Sequence, residues 1–426
     1  MSVIRPKPPE DPIAYDRTAV LAPGGGSTAS LDACAAGLER ARTDVLGSAN
    51  VAMPDRLLDD YNTGGGRAGS QLFAILQAAR QIRDIVDRVI VLGDGCGGLA
   101  ARAIFESCAH PYHNELCRGE RGGRPRLSFF GPDLDNDTLQ GLLDVVSPAG
   151  KPRGSDLLDQ WAVIVASESG STMKTAAATR LLLAALSESV GGDQIELARR
   201  VVPISGQAGG FADLAASLGC TSVFTIPDDV GAGDSVFTPL SLLPAAVAGI
   251  DVVRLLQGAA AMNRRFREAQ VSENPVLQCA GVSRLMAEQG GRMRVLASRN
   301  SQLAAVCRWH ERLAPHHSAP LTTNIVVREP RRDPLVVPAI TGCFANEDGL
   351  DQLEGTSLPD LLVAARTTAT QAMGPADTIL LPRVDEHSIG QLFQFLVLTK
   401  LVESRLENRV KSPTDGSPVG TGCRFA

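Results

Sequence analysis

The chain of 426 residues is poor in aromatic residues, which make up 4% of it, and its net charge is −6. No stretch reaches the roughly 18 consecutive apolar residues that a membrane-spanning helix needs, so no contact with a membrane is expected. Basic runs with interleaved aromatic residues are also missing, which argues against a nucleic-acid-binding surface. The opening MSVIRPKPPEDP lacks the apolar core of a signal peptide and is expected to be a flexible tail.

The nine cysteines form no C-x-x-C pair and no Cys/His cluster. Scattered thiols of this kind are typical of reduced cysteines, so a cytoplasmic location is expected. The six histidines occur without a carboxylate cluster, and no metal or other cofactor is expected. Cys96 is the one cysteine near a predicted ligand loop, although a buried, unreactive thiol is the simpler interpretation.

What the chain does contain is an alternation of strand and helix patterns from Arg88 onwards. Apolar runs typical of buried strands are each followed by a helical pattern, and these runs are RVIVLG, PRLSFF, AVIVAS, RRVVPISG and TSVFTI. Such alternation predicts a parallel sheet with helices on both faces, a three-layer αβα arrangement. After a long helical section, a shorter α/β unit follows with the strand patterns RMRVLAS, DPLVVPAI and DTILLPRV.

These patterns divide the chain into three segments. Residues 1–60 are predicted to form an N-terminal extension with helices, residues 61–260 a first α/β domain, and residues 261–426 a second, shortened domain with a C-terminal tail. The last stretch, NRVKSPTDGSPVGTGCRFA, has turn chemistry and little periodicity.

The most informative stretch is QWAVIVASESGSTMKT. A predicted strand over 162–166 leads into four hydroxyl side chains at the start of a helix, those of Ser167, Ser169, Ser171 and Thr172. The free amides and the dipole of a first helical turn favour an anion, and hydroxyls donate further hydrogen bonds. Because the chain has no G-x-x-x-x-G-K motif here, a phosphate ester smaller than a nucleotide is expected. The same hydroxyls would also serve as an ordinary N-cap without a ligand.

A glycine-rich loop at 93–98 follows an earlier strand of the same predicted sheet. In parallel sheets, ligands bind where the carboxyl ends of the strands meet. The glycine loop and the hydroxyl loop are therefore expected to face one crevice.

Five motifs, in order, resemble those of the phosphoglucose (glucose-6-phosphate) isomerase family, and the resemblance spans roughly Asp87 to Ser417. They are GDGCGGLAARA, SESGSTMKT, IPDDVGAGDSVFTPLSLLPAAVAGID, ENPVLQCAG and LLPRVDEHSIGQLFQ. The resemblance implies two doubly wound, flavodoxin-like sugar-isomerase (SIS) domains and a homodimer. It also implies the family's reaction, the interconversion of glucose 6-phosphate and fructose 6-phosphate.

The same resemblance implies which residues bind the phosphosugar: Gly95, Gly97, Ser167, Ser169, Ser171, Thr172 and Lys174. Glu168 stands where the family has lysine, and Lys174 where it has glutamate. Gly97 stands where the family has a serine that contacts substrate. Lys174, in the first helical turn, is expected to compensate for Glu168 by reaching the anion; otherwise both would be solvated surface charges.

The positions that carry out the family's chemistry depart further. Gly233 replaces the family's arginine and is followed by Asp234. Cys423 replaces its lysine, with Arg424 beside it. The segment that carries the family's ring-opening histidine is missing, because APLTT passes directly into NIVV.

The family's base is a glutamate, and aligning Trp309 and Leu313 places His316 at its position, after Pro315. Base, ring-opening histidine, arginine and lysine are then all absent, and losses at such groups commonly cost orders of magnitude in rate. Isomerase activity is therefore expected to be lost or strongly reduced.

Three hypotheses remain open from the sequence. In the first, the chain binds a sugar phosphate of the hexose 6-phosphate class without efficient turnover. In the second, it is an active isomerase with a rebuilt site in which His316 acts as the base. In the third, it is a scaffold that has lost the ligand. His316 and its neighbour His317 would also fit an exposed loop, since APHHSAP is flanked by prolines.

Overall fold

A computed structural model gives the structure of most of the chain. The described residues are 11–21, 28–63, 67–93, 95–131, 135–146, 156–167, 173–206, 211–227, 230, 236–288, 293–313, 320–329, 331, 333–336, 355–361 and 376–410. Statements below refer to these residues.

The first sheet contains five parallel strands in the described part of the chain, in the order β3-β2-β4-β5-β6. Their bounds are β2 Arg88–Gly93, β3 Arg126–Phe130, β4 Trp161–Ser167, β5 Val201–Gly206 and β6 Phe224–Ile226. Alternate residues of β2 pack into two different apolar clusters, Val89 and Val91 into one, Ile90 and Leu92 into the other. Helices therefore cover both faces, as the apolar strand runs predicted.

The helices of the N-terminal region and the first domain are α1 Thr28–Ala33, α2 Ala35–Leu46, α3 Ala49–Thr63, α4 Gln71–Ile85, α5 Gly95–Cys108, α6 Asn136–Val146, α7 Met173–Ser189, α8 Gln194–Arg200, α9 Phe211–Leu218 and α10 Pro239–Ala248. The remaining ones are α11 Val252–Glu268, α12 Pro275–Glu288, α13 Ala304–Leu313 and α14 Glu386–Val410.

The second sheet has the order β1-β9-β8-β7. Its bounds are β1 Ala14–Asp16, β7 Met293–Ser298, β8 Pro320–Val327 and β9 Asp377–Leu381. Strands β7, β8 and β9 are parallel, whereas β1 pairs antiparallel with β9. The prediction of two α/β units with parallel sheets is confirmed.

One predicted strand of this sheet was wrong. The pattern DPLVVPAI predicted a strand over residues 333–340, but the strand is Pro320–Val327, and Val336 forms only an isolated bridge with Ser357. Residues 337–340 lie outside the described residues. The segment PLTTNIVV is rich in β-branched residues, which favour strands, and its pairing with β7 and β9 makes it an interior strand of the sheet.

The N-terminal strand β1 forms part of the second sheet, which the sequence did not indicate. Arg265 on α11 donates a hydrogen bond to the Ile13 carbonyl at 2.6 Å, and Ile13 N donates to Gln391 on α14 at 3.2 Å. The proposed boundary after residue 260 lies within α11, which runs on without a break. The structure gives no break in the chain at this boundary, and the division into three segments stays a prediction.

Among the described residues, the most extensive packing between two helices joins α11 to α14. Gly258 on α11 lies against the backbone of His387, and Gly390 on α14 lies against the backbone of Leu255. Each helix thus uses a glycine to let the other approach closely. This crossing joins the end of the first half of the chain to the last helix of the second.

Acidification is expected to destabilise the fold through His310 on α13. This side chain is buried, and its Nδ1 has no hydrogen-bond partner among the described residues. Burial, aided by the nearby Arg294 and Lys400 cations, lowers the pKa of His310 to about 3. The pKa in an unfolded chain is about 6.5. As the pH falls from 6.5 towards 3, the unfolded state binds a proton that the folded state does not, so stability falls by up to about 1.4 kcal/mol per pH unit.

Urea unfolding of the wild type and of His310→Gln between pH 7.5 and 4.5 tests this expectation. The variant should lose stability less steeply on acidification, whereas His110→Gln, at a partly exposed site, should follow the wild type. Parallel pH profiles for the wild type and His310→Gln would contradict the assignment.

Candidate functional site

Two neighbouring strands of the first sheet end together at its carboxyl edge. Strands β2 and β4 are parallel partners, with Gly93 opposite Ala166 at their ends. Helix α5 begins at Gly95, directly after β2, and α7 begins at Met173, after the hydroxyl loop that follows β4. The N-termini of two helices therefore follow adjacent strand ends. Each helix N-terminus carries about half a positive charge and free amide donors, so this edge is suited to an anion.

The glycine loop is held tightly against the end of β2. A Cβ atom on Gly98 would lie 2.8 Å from the carbonyl oxygen of Gly93 and 3.2 Å from its carbonyl carbon. Only glycine lets the first turn of α5 approach the strand this closely. Helix α5 is consequently fixed with its N-terminus at the edge of the sheet.

Gly98 is the residue of this loop that the sequence reasoning did not single out. The signal was present, since Gly93, Gly95 and Gly98 form a G-x-G-x-x-G pattern that follows a strand and opens a helix. In that pattern the third glycine permits close packing of helix against strand. The contact of Gly98 with Gly93 is such a close packing of α5 against β2.

The described residues include four of the predicted phosphosugar-binding positions. Gly95 is the first residue of α5, and Gly97 is buried in its first turn. Ser167 is the last residue of β4 and pairs with Ser205 of β5. Lys174 is exposed in the first turn of α7.

The other predicted site residues lie outside the described residues. These are Ser169, Ser171, Thr172, the acidic Glu168 and Asp234, Gly233, the candidate base His316 with its neighbour His317, Cys423 and Arg424. The assignment of His316 as a base therefore stays a prediction. The helix α13 that precedes it ends at Leu313, two residues before Pro315.

No group of three or more His, Cys, Asp or Glu side chains in the described part of the chain is arranged to hold a metal ion. None of the helices in those same ranges combines the length and the apolar character needed to cross a bilayer.

Comparison with known proteins gives curated relatives that are named glucose-6-phosphate isomerase. The protein of Rubrobacter xylanophilus is 32% identical over 392 residues, which cover 84% of this chain and 86% of that protein. The protein of Bacillus cytotoxicus is 27% identical over 355 residues, or 76% of each chain. The protein of Symbiobacterium thermophilum is 35% identical over 240 residues, which are 56% of this chain and 50% of that protein. No protein-family model matches the chain.

Two solved structures share the fold. A hypothetical protein from Thermus thermophilus superposes with a TM-score of 0.74 at 21% identity, over 92% of this chain and 94% of the other. A glucose-6-phosphate isomerase from Chlamydia trachomatis gives a TM-score of 0.62 at 16% identity, over 84% of this chain and 74% of the other.

The resemblance inferred from five motifs is thereby confirmed by alignment over most of the chain. An identity of 32% that extends over 84% of this chain shows that it belongs to the glucose-6-phosphate isomerase family.

Proposed function

We propose that this chain binds a sugar phosphate of the hexose 6-phosphate class at the carboxyl edge of the first sheet, with isomerase activity lost or strongly reduced. The observation that carries the proposal is the arrangement of α5 and α7, whose N-termini follow the adjacent ends of β2 and β4. The close contact of Gly98 with Gly93 fixes one of these N-termini at the edge.

A phosphate group suits this arrangement for electrostatic reasons. Its charge would interact with the dipoles of two helices rather than one, and the glycines of the loop have no Cβ atoms to keep the ligand away. The hydroxyls of Ser167, Ser169, Ser171 and Thr172 would add donors. Lys174 would supply the one cation that the sequence places in the first turn of α7.

The reduced turnover is inferred from the departures within the family's motifs. His316, Gly233 and Cys423 replace groups that the family uses as base, arginine and lysine. Without them, little remains to move a proton between neighbouring carbons or to stabilise the enediolate charge. We further propose a cytoplasmic homodimer, in keeping with the family resemblance.

Fructose 6-phosphate is expected to bind this chain without turnover. Isothermal titration should give one site per chain with a dissociation constant in the millimolar range or below, because a phosphate at two helix N-termini contributes most of the affinity. A coupled assay with the same compound should give no glucose 6-phosphate above the background without protein. Absence of binding at millimolar concentrations would contradict the proposal.

The variant Gly98→Ala tests whether the sugar phosphate binds at the glycine loop. Its methyl group would collide with the Gly93 carbonyl, displace the first turn of α5 and weaken binding at least ten-fold. Gly141→Ala on α6, where an added Cβ has open space, is the matched control and should bind as the wild type does. Clear turnover that disappears in His316→Ala would instead support the rebuilt isomerase.

A further inference from the structure

The end of α5 that lies away from the proposed site is held by the second half of the chain. Gln302 Nε2 donates to the carbonyl oxygen of Ala109 at 3.3 Å and to that of Ser107 at 3.5 Å. Ser107 Oγ donates in return to the Gln302 carbonyl at 3.1 Å. The Arg331 guanidinium donates to the carbonyl of Cys108 and, at 3.5 Å, to that of Ala109.

These contacts fall on groups that a helix cannot satisfy by itself. The last carbonyls of an α-helix lack intrahelical donors, and a helix C-terminus carries about half a negative charge. Gln302 supplies donors to these carbonyls, and Arg331 supplies both donors and a positive charge. The α5 C-terminus is thus capped by side chains that lie about 200 residues later in the sequence.

The capping residues belong to the carboxyl edge of the second sheet. Gln302 follows the end of β7, and Arg331 follows the end of β8. Burial contributes most to the raised pKa of the Cys108 thiol, and Glu386 and Asp385, which follow β9, lie close enough to raise that pKa further. The edge at which a parallel sheet usually binds a ligand is here occupied by the C-terminus of α5.

A second link joins α5 to α13 through side chains alone. Arg308 on α13 pairs with Glu106 on α5 at 3.3 Å, and Glu106 also pairs with Arg102 at 2.6 Å. The Arg308 side chain is 53% exposed, so solvent screens this pair. Arg308 contacts a side chain of α5, whereas Gln302 and Arg331 contact its backbone.

We propose that Gln302 and Arg331 are positioning residues for the anion site, which they affect through α5. The inference rests on the proposed function. Helix α5 has 14 residues and is about 20 Å long, with the glycine loop at one end and the two caps at the other. The Gly98–Gly93 contact holds the helix at one point only, so loosening the C-terminus of α5 lets the helix tilt about this contact and changes the direction of its N-terminal amides. The second half of the chain thereby sets the affinity of a site built on the first.

The test compares Arg331→Met, Arg331→Lys and Arg308→Met with the wild type. Fructose 6-phosphate affinity should fall about five-fold in Arg331→Met, a typical coupling between distant sites. Lysine keeps the charge and the donors, so Arg331→Lys should recover most of the affinity. Arg308→Met removes an arginine from the same interface without touching the α5 backbone and should bind normally. Gln302→Leu is the second variant and should act in the same direction.

Amide hydrogen exchange of the peptide containing Gly97–Arg102 supplies a readout without ligand. The exchange rate is compared at temperatures equally far below the melting midpoint of each variant. It should be faster than in the wild type for Arg331→Met and unchanged for Arg308→Met. If the wild type binds no sugar phosphate, the proposed function fails while the exchange result still tests the link. If the wild type binds but Arg331→Met matches it in affinity and in exchange, the positioning role is refuted.

Discussion

Gly258→Ala is expected to lower the stability of this chain by about 3 kcal/mol or more. An added Cβ would lie 2.8 Å from the carbonyl carbon of His387, and still closer to its oxygen. The obstacle is backbone within α14, which no side-chain rotation can remove. Helices α11 and α14 would have to move apart. This movement would weaken the apolar contacts that the two helices make in the core, which include those of fully buried Leu255 and Phe393.

Gly390→Ala should act in the same way, because its Cβ would lie 2.9 Å from the carbonyl carbon of Leu255. Gly141→Ala is again the matched control, since it places alanine in an exposed helix with open space. Alanine has the higher helix propensity, so the control should be neutral or more stable by up to about 1 kcal/mol. Urea unfolding of the three variants measures the difference. A midpoint of Gly258→Ala equal to that of the wild type would show that the two helices do not approach this closely.

The second large effect is expected at a buried ion pair in the second sheet. Arg294 on β7 lies 2.6 Å from the carboxylate of Asp377 on β9, and both side chains are almost wholly buried. The same guanidinium donates to Ser283 at 2.6 Å and to the Cys279 carbonyl at 3.0 Å. Thr323 lies between the pair and hydrogen-bonds to both partners.

Tyr15 extends this network to the N-terminal strand, because its hydroxyl donates to Asp377. Burial raises the pKa of the Tyr15 phenol above its ordinary value, so the hydroxyl keeps its proton and remains a donor. The network therefore links β1, β7, β8, β9 and α12 through polar groups that are buried or partly buried.

Arg294→Met is expected to destabilise the chain by about 3–5 kcal/mol, because it leaves the Asp377 carboxylate buried without a cation. Removing both charges together, in Arg294→Met with Asp377→Leu, should recover part of the loss. Arg284→Met is the control; it breaks an exposed pair with Glu288 on α12 and should cost about 1 kcal/mol or less. Equal unfolding midpoints for Arg294→Met and Arg284→Met would contradict the importance of the buried pair.

Much of the fold could be predicted because its strands and helices have local signatures. The apolar runs that became β2, β4 and β5 are continuous, as in strands buried on both faces, and the helix that follows each run has its own period. The misplaced strand at 333–340 shows the limit of such reasoning. Both PLTTNIVV and DPLVVPAI look like strands locally, and pairing with β7 and β9 selected the first.

For the candidate site, the prediction that the glycine loop and the hydroxyl loop follow two strands of one sheet agrees with the structure, in which β2 and β4 are neighbours. The binding roles of the residues in these loops stay predictions. The sequence could not indicate that the C-terminus of α5 is capped by Gln302 and Arg331. Those residues are ordinary polar side chains about 200 positions away, and nothing in their local pattern indicates which helix end they contact.

The sequence by itself determined the family, the two α/β units and the edge of the first sheet where an anion is expected, since each of these depends on local patterns or ordered motifs. Only the tertiary structure decided that β1 pairs with β9, that Tyr15 reaches Asp377, and that Gly258 and Gly390 bring two helices together. These features depend on contacts between residues more than 100 positions apart. Such contacts are selected by how well backbones and buried charges fit in space, which no local period or composition records.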